Sequence, residues 1–373
     1  MKKQVKVGDI YIGGGAPVSI QSMCNTRTSD AKASIAQVKR LEEAGCEIVR
    51  LTVPDYDAVE GFREVKRHAN IPVVADIHFD YRMAIAAMDA GADKIRINPG
   101  NIGSEEKVKA VVDKAKACHI PIRVGVNGGS LEKDILAKHG RVTAEGLAES
   151  ALRNVALLEK YEFEDIVISL KSSDVQMNYD AYRIVDKQSD YPLHIGVTEA
   201  GTPSRGKIKS AAGVGALLLA GIGDTLRISL TADPVEEVYF ARELLAAIGM
   251  RNNGPNVVSC PTCGRTEVDL EKIATEVERR LADLYRAEQS AGQTGGQSVG
   301  SSNGSSDGQS VGSSVGDLTI AVMGCAVNGP GEAKGADFGV ACGKGEGLLF
   351  AKGEIIKKVK EEDIVNELMA LIQ

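Results

Sequence analysis

Eight short β-branched runs, each followed by a stretch with helical spacing, fill the first 250 residues, and this repetition constrains the fold most. The runs are 18–23, 48–53, 73–78, 94–98, 122–127, 166–171, 193–198 and 225–230. Between them lie helix-like segments such as 30–44, 104–118, 143–160 and 234–248. Several runs follow a Gly that can close the preceding helix, as in AGCEIVRL, AGADKIRIN and AGIGDTLRISL. Eight β-then-α units at a mean spacing of about 30 residues predict a (β/α)8 TIM barrel of roughly 250 residues. A doubly wound open sheet is the competing arrangement, but about six strands are more usual there.

Barrel strands alternate between the helix-facing side and the lumen. In DIVISLK, Ile166, Ile168 and Leu170 share one face, and Val167, Ser169 and Lys171 share the other. In IRVGVN, Ile122, Val124 and Val126 oppose Arg123, Gly125 and Asn127. By the same alternation Arg50 goes with Thr52, Asp76 with His78, Arg96 with Asn98 and Arg227 with Ser229. With the apolar faces on the helices, the lumen receives Arg50, Arg96, Arg123, Lys171 and Arg227. A barrel lumen is ordinarily filled by Val, Ile and Leu. Cations there repel and are expensive to desolvate unless anions compensate. One strand-end Arg is more often a structural ion pair. Several converging from different strands predict a phosphate-bearing ligand at the C-terminal mouth. Asn98 and Asn127 can hydrogen-bond phosphate oxygens or hydroxyls.

Titratable groups complete the predicted mouth. Asp76 and His78 end the third run in ADIH, and Glu199 follows the seventh in GVTEAG. Glu199 is a candidate general acid or base; the alternative is a loop carboxylate paired with a strand-end Arg. His78 alone reads as a hydrogen-bonding residue. His68, His119, His139 and His194 have no supporting context.

RNNGP at 251–255 ends the last helical pattern, which places a boundary between domains 1–252 and 256–373. The second carries SCPTCGR, with Cys260 and Cys263, then MGCAVNGPGEA with Cys325, then Cys342. A lone CxxC can be a redox dithiol, half of a zinc site or two buried thiols. With one distant Cys it leaves three soft thiolates, the number that holds three irons of a [4Fe–4S] cluster. Glu332 follows Cys325 beyond a Gly-Pro-Gly turn able to fold the chain back. Cys24, Cys46 and Cys118 read as ordinary buried thiols. Between the motifs, 289–317 is dominated by Gly, Ser and Gln and contains GQSVGSS twice. Such a segment cannot bury a core and is expected to be a flexible insert.

Composition removes whole classes of function. The net charge of −7 disfavours a nucleic-acid binder, and 4 % aromatics with no Trp disfavour base stacking. The longest near-apolar run, 211–223, falls short of the roughly 18 residues a membrane span needs. The opening MKKQVKVGDI has no apolar signal region, and seven Cys in a chain this long do not resemble a disulfide framework. A cytoplasmic protein without a membrane partner is expected.

These residues resemble those of bacterial 4-hydroxy-3-methylbut-2-enyl diphosphate synthases of the methylerythritol phosphate isoprenoid pathway. The matching stretches are VADIHFDYR (74–82), RINPGNIG (96–103), IPIRVGVNGGSLEKD (120–134), GVTEAG (196–201), GDTLRISLTADPVEE (223–237), SCPTCGR (259–265) and GCAVNGPGEA (324–333). They run in order through nearly the whole chain. The resemblance implies a TIM barrel that binds a cyclic diphosphate, followed by an α+β domain like those of sulfite and nitrite reductases. It implies Cys260, Cys263, Cys325 and Glu332 as ligands of a [4Fe–4S] cluster. It places Arg50, Arg96, Arg123 and Lys171 on the diphosphate, with Asn98, Asn127 and Ser229, and puts Asp76, His78, Glu199 and Asn328 near the reacting carbons. It also implies reduced flavodoxin or ferredoxin as electron donor, and a homodimer in which one subunit's cluster serves the other's barrel. The insert at 289–317 is longer and more repetitive than the family pattern.

Two other readings use the same residues. A zinc-containing phosphosugar aldolase or isomerase on a TIM barrel predicts zinc, no visible absorbance and no need for reductant. An iron–sulfur sensor with a ligand-binding barrel is disfavoured by the titratable mouth and the absence of a basic surface pattern.

Overall fold

The structure is a computed structural model that describes residues 2–252, 254–294, 314–325 and 333–373. The chain divides into two compact units, Met1–Arg251 and Asn252–Gln373.

The first unit opens with a short antiparallel hairpin, β1 (Val5–Val7) and β2 (Ile10–Ile12). Eight parallel strands follow: β3 (Ser19–Met23), β4 (Ile48–Thr52), β5 (Val73–Asp76), β6 (Lys94–Ile97), β7 (Ile122–Asn127), β8 (Ile166–Lys171), β9 (His194–Ile195) and β10 (Thr225–Leu226). Their sheet order is β8-β7-β6-β5-β4-β3-β10-β9. A parallel bridge between Ile168 and Leu193 joins the two ends, so the sheet closes into a barrel and the open-sheet alternative falls. β9 and β10 are shorter than their six-residue runs. Gly196, directly after β9, gives the strand no side chain to pack and weakens it there.

Local chemistry sets the helices between the strands. Asp30, Asp55, Asp80, Asp174 and Asp233 each accept a backbone N–H two or three residues on, which satisfies an otherwise orphaned donor of the first turn. Gly45 and Gly91, both at φ +94, turn the chain out of the helices Ala31–Glu43 and Tyr81–Asp89 into the next strand. The strand residues read as helix-facing, such as Val49, Leu51, Ile95, Ile122, Val124, Ile166 and Ile168, are fully buried in the main core.

The hairpin has no counterpart in the sequence reading. Val5, Val7 and Ile12 pack against Ile48, Val74 and Val167, inward residues near the starts of β4, β5 and β8. This apolar plug fills the floor of the lumen, below the charged residues.

The second unit is a five-stranded sheet in chain order: β11 (Asn256–Ser259), β12 (Thr319–Met323), β13 (Phe338–Gly343), β14 (Glu346–Ala351) and β15 (Glu354–Lys360). The first three strands are parallel and the last two pair antiparallel. Helices Leu270–Thr294 and Ile364–Ile372 supply Val277, Leu281, Ile364 and Leu368 to its core.

One correction concerns the insert. The long helix continues through Thr294, and Val315–Asp317 forms a 3-10 turn capped by Ser314. Extending an existing helix adds one hydrogen bond for each residue fixed, so even Ser and Gly at its end join it. The remainder of the segment, 295–313, lies outside the described residues. Among the described residues, no helix is long and apolar enough to cross a membrane.

Candidate active site

Inward-facing strand residues build the site from below upward. Asp76 at the end of β5 is buried between two guanidinium groups. Arg96 Nη1 lies 3.2 Å from one carboxylate oxygen and Arg50 Nε 3.6 Å from the other. Burial opposes charge on Asp76, but Arg50, Arg96 and Arg123 outweigh it and hold the carboxyl at about 2. Arg50 also approaches Met23 Sδ, at 2.7 Å. Burial lowers Arg50 to about 10; Asp76 resists this, while Arg227 and Arg96 reinforce it.

Arg123 is buried and donates to Gln21 Oε1 at 3.3 Å. Arg227 donates to Glu237, which also accepts the Leu230 N–H at 2.9 Å. Lys171 Nζ meets His194 Nε2 at 3.3 Å. Burial, reinforced by neighbouring cations, pushes Arg123, Lys171 and His194 well below their ordinary values. Burial and the surrounding cations thus disfavour charge on His194, whose Nε2 shares a hydrogen bond with Lys171.

Two glycines make room for these long side chains. A Cβ on Gly125 would stand 2.4 Å from Arg96 Nε, and one on Gly196 2.7 Å from Lys171 Nζ. The need at both positions is space.

Higher up, Asn98 accepts the Gly100 N–H at 3.1 Å and donates to Ser130 Oγ at 3.1 Å. Asn127 and Ser130 are joined through the Asn127 backbone. His78 Nε2 is 4.0 Å from Asp76 and half exposed. Glu199 is exposed, holds φ +50, and has no hydrogen-bond or ion-pair partner among the described residues. The pairing of Glu199 with a strand-end Arg, weighed above, is thus not formed. Ser229 is half-buried beyond β10.

The structure gathers every cation expected in the lumen and adds three groups the sequence reading passed over. Lys94 starts β6 two residues before Arg96 and faces the same way, and it is fully buried. His194 shares the inward parity of Gly196. Both were readable by counting in twos. Glu237 reaches Arg227 from the helix Pro234–Ala247, which strand alternation cannot show. Among the described residues the lumen holds six basic side chains (Arg50, Lys94, Arg96, Arg123, Lys171 and Arg227) against the carboxylates of Asp76 and Glu237.

In the second unit, parallel register matches Ser259 of β11 with Val322 of β12. Cys260 and Cys325 thus leave the same end of adjacent strands, and Cys263 is in the loop after Cys260. Gly324 N–H donates to Cys260 Sγ at 3.2 Å. Hydrogen bonds from the backbone and side chain of Arg265 lower the Cys263 thiol. Three soft sulfur donors at one end of adjacent strands, with Cys263 held toward thiolate, form a donor set that fits an iron–sulfur group. Among the described residues no three or more His, Cys, Asp or Glu are drawn together as a metal site. Asn328 and Glu332 lie outside the described residues. Cys342 is buried in the sheet core and raised to about 12 by burial, reinforced by Glu361 and Cys260.

Residues 2–242 match the GcpE TIM-barrel domain and 256–373 the GcpE protein C-terminal domain. The chain belongs to the GcpE family. A relative from Clostridium acetobutylicum is 54 % identical, with 98 % of this chain and 97 % of the relative covered. One from Clostridium perfringens is 53 % identical over 100 % of this chain and 98 % of its own length. One from Caldanaerobacter subterraneus is 52 % identical over 100 % and 97 %. All three are named 4-hydroxy-3-methylbut-2-en-1-yl diphosphate synthase (flavodoxin). The aldolase or isomerase reading finds no support among them. The GcpE barrel match contains the whole lumen set, and the GcpE C-terminal match contains Cys260, Cys263 and Cys325.

Proposed function

We propose that this GcpE-family chain is a 4-hydroxy-3-methylbut-2-en-1-yl diphosphate synthase. It converts 2-C-methyl-D-erythritol 2,4-cyclodiphosphate to (E)-4-hydroxy-3-methylbut-2-enyl diphosphate. Two electrons and one proton enter the ionised substrate, the ring opens to a terminal phosphate with one more negative charge, and one oxygen leaves as water. The observation that carries the reading is the excess of basic over acidic groups in the lumen, six basic side chains facing two carboxylates. A diphosphate supplies the missing anion.

On this reading Arg50, Arg96, Arg123 and Lys171 bind the diphosphate and stabilise charge on it as the ring opens. Ser229 and Asn127 offer hydrogen bonds at the rim. Asn98 joins them by exchanging its Ser130 contact for the ligand. Asp76, ionised far below neutral pH, has no proton to give. It is a positioning residue that holds Arg50 and Arg96 apart and aimed. Glu199, exposed and without a partner among the described residues, is the group free to move a proton, with His78 beside the site. Cys260, Cys263, Cys325 and Glu332 would hold a [4Fe–4S] cluster, which supplies electrons taken singly from reduced flavodoxin, with ferredoxin as the other donor class. A cytoplasmic homodimer completes the proposal.

Cys263→Ser tests it. The brown absorbance, the anaerobic iron and sulfide content, and the turnover of the cyclic diphosphate are expected to fall together. Full turnover by a colourless variant would overturn the reading.

A further inference from the structure

The lumen also holds buried polar atoms without partners, and two of the side chains concerned, Lys94 and His194, have no part in the proposed chemistry. Lys94 and His194 are both 0 % exposed. Lys94 Nζ and His194 Nδ1 have no hydrogen-bond partner, and neither do Arg123 Nε, Gln21 Nε2, Ser19 Oγ or Thr225 Oγ1. Register sets Thr225 level with both Ser19 and His194, and Lys94 beside Val74 of the apolar floor. Lys94 and His194 both lie within electrostatic reach of Arg123 and Arg50, and Lys94 within reach of His194.

We propose that Lys94, seconded by His194, takes up a proton from solvent when the cyclic diphosphate enters the barrel, and so matches the charge of the bound anion. The inference rests on the reading that the barrel binds this diphosphate. The step is Lys94–NH2 plus H+ giving Lys94–NH3+, with no other bond changed. Every wall of the barrel contributes to the balance. Arg50 on β4, Arg96 on β6 itself, Arg123 on β7, Lys171 on β8 and Arg227 following β10 oppose a further charge, and His194 on β9 is the second site of uptake. Asp76 on β5 and Glu237 favour it, as does Asp93, the residue before Lys94. Gln21 on β3 is neutral. Burial, followed by Arg123 and Arg50, drives Lys94 well below its ordinary value in the free barrel, Asp93 resisting. A dianion among the same groups offsets their excess positive charge, so the electrostatic opposition to the ammonium is lifted. Opening the ring adds a terminal phosphate oxygen and with it negative charge, so a Lys94 already protonated meets the product as well.

The test is calorimetric titration of the full-length, cluster-loaded protein with the cyclic diphosphate, without reductant, at one pH in buffers of contrasting ionisation enthalpy. The acids of this ligand are fully ionised at neutral pH, so buffer-dependent heat reports on the protein. Uptake of about one proton per ligand is expected. It should fall by at least half in Lys94→Met, with binding weakened yet measurable, and by less in His194→Gln. Binding heat that is the same in every buffer for the unmodified protein overturns the inference while the diphosphate reading stands. No binding heat in any buffer overturns the diphosphate reading itself. Equal uptake by the unmodified protein and a folded Lys94→Met removes Lys94 from the role.

Discussion

Asp76 is the residue on which the ordering of the arginines depends, because Arg50 and Arg96 approach its two oxygens from neighbouring strands. Its carboxyl, at about 2 in the fold and near 4 in an unfolded chain, is a group whose folded value is depressed. It contributes on the order of 2 kcal/mol above pH 4, and this is lost as pH falls through about 2. Asp76→Asn keeps the shape and removes the charge, leaving Arg50 and Arg96 unpaired. A destabilisation of about 3 kcal/mol at pH 7 is expected from breaking a buried pair. Denaturant unfolding from pH 7 to 2 should show the gap to the unmodified protein narrowing only below pH 4; a gap independent of pH would contradict this role. The inward set Arg50, Arg96, Arg123, Lys171 and Arg227 was legible because a strand sends alternate side chains to opposite faces. Lys94 and His194 obey the same parity but look unremarkable singly. The partner Glu237 was not legible, because its contact depends on where a helix lies across the strand end.

Among the elements, the N-terminal hairpin is the clearest case of a short segment with a large consequence. Three-residue strands are too short to stand alone. β1 and β2 persist because Val5, Val7 and Ile12 cover inward Ile48, Val74 and Val167. Val7→Ala leaves a void in that plug and should destabilise the first unit by about 2 kcal/mol. Thermal unfolding is the measurement. An unchanged midpoint would mean that the hairpin does not seal the floor. The longer elements were legible from period and caps: Ala31–Glu43 and Pro234–Ala247 begin just after an Asp that caps them, and β7 and β8 span their predicted runs. The hairpin was not, because three residues cannot display a period and its stability comes entirely from the barrel floor. β9 and β10 came out short for the related reason that ladder hydrogen bonds depend on the neighbouring strand as well as on the run itself.

At the scale of the whole molecule, the Gly/Ser/Gln-rich stretch separates the CxxC motif from Cys325 along the chain without separating their strands, since β11 and β12 pair directly. Loop closure depends only slowly on length, about 0.6 kcal/mol for each doubling. Deleting 296–302, one copy of GQSVGSS, should leave kcat/KM within about twofold and the unfolding midpoint unmoved. A large loss of turnover would give the repeat a function of its own. The order of the eight units, the division after residue 250, the cysteine spacing and the basic character of the lumen follow from local period, turn chemistry and side-chain type. Folding adds which cations have partners, that Gly125 and Gly196 leave room for Arg96 and Lys171, and that Lys94 Nζ and His194 Nδ1 lie buried without a hydrogen-bond partner. Those facts depend on closing the barrel, which brings residues as far apart in the chain as Met23 and Arg227 into one small volume.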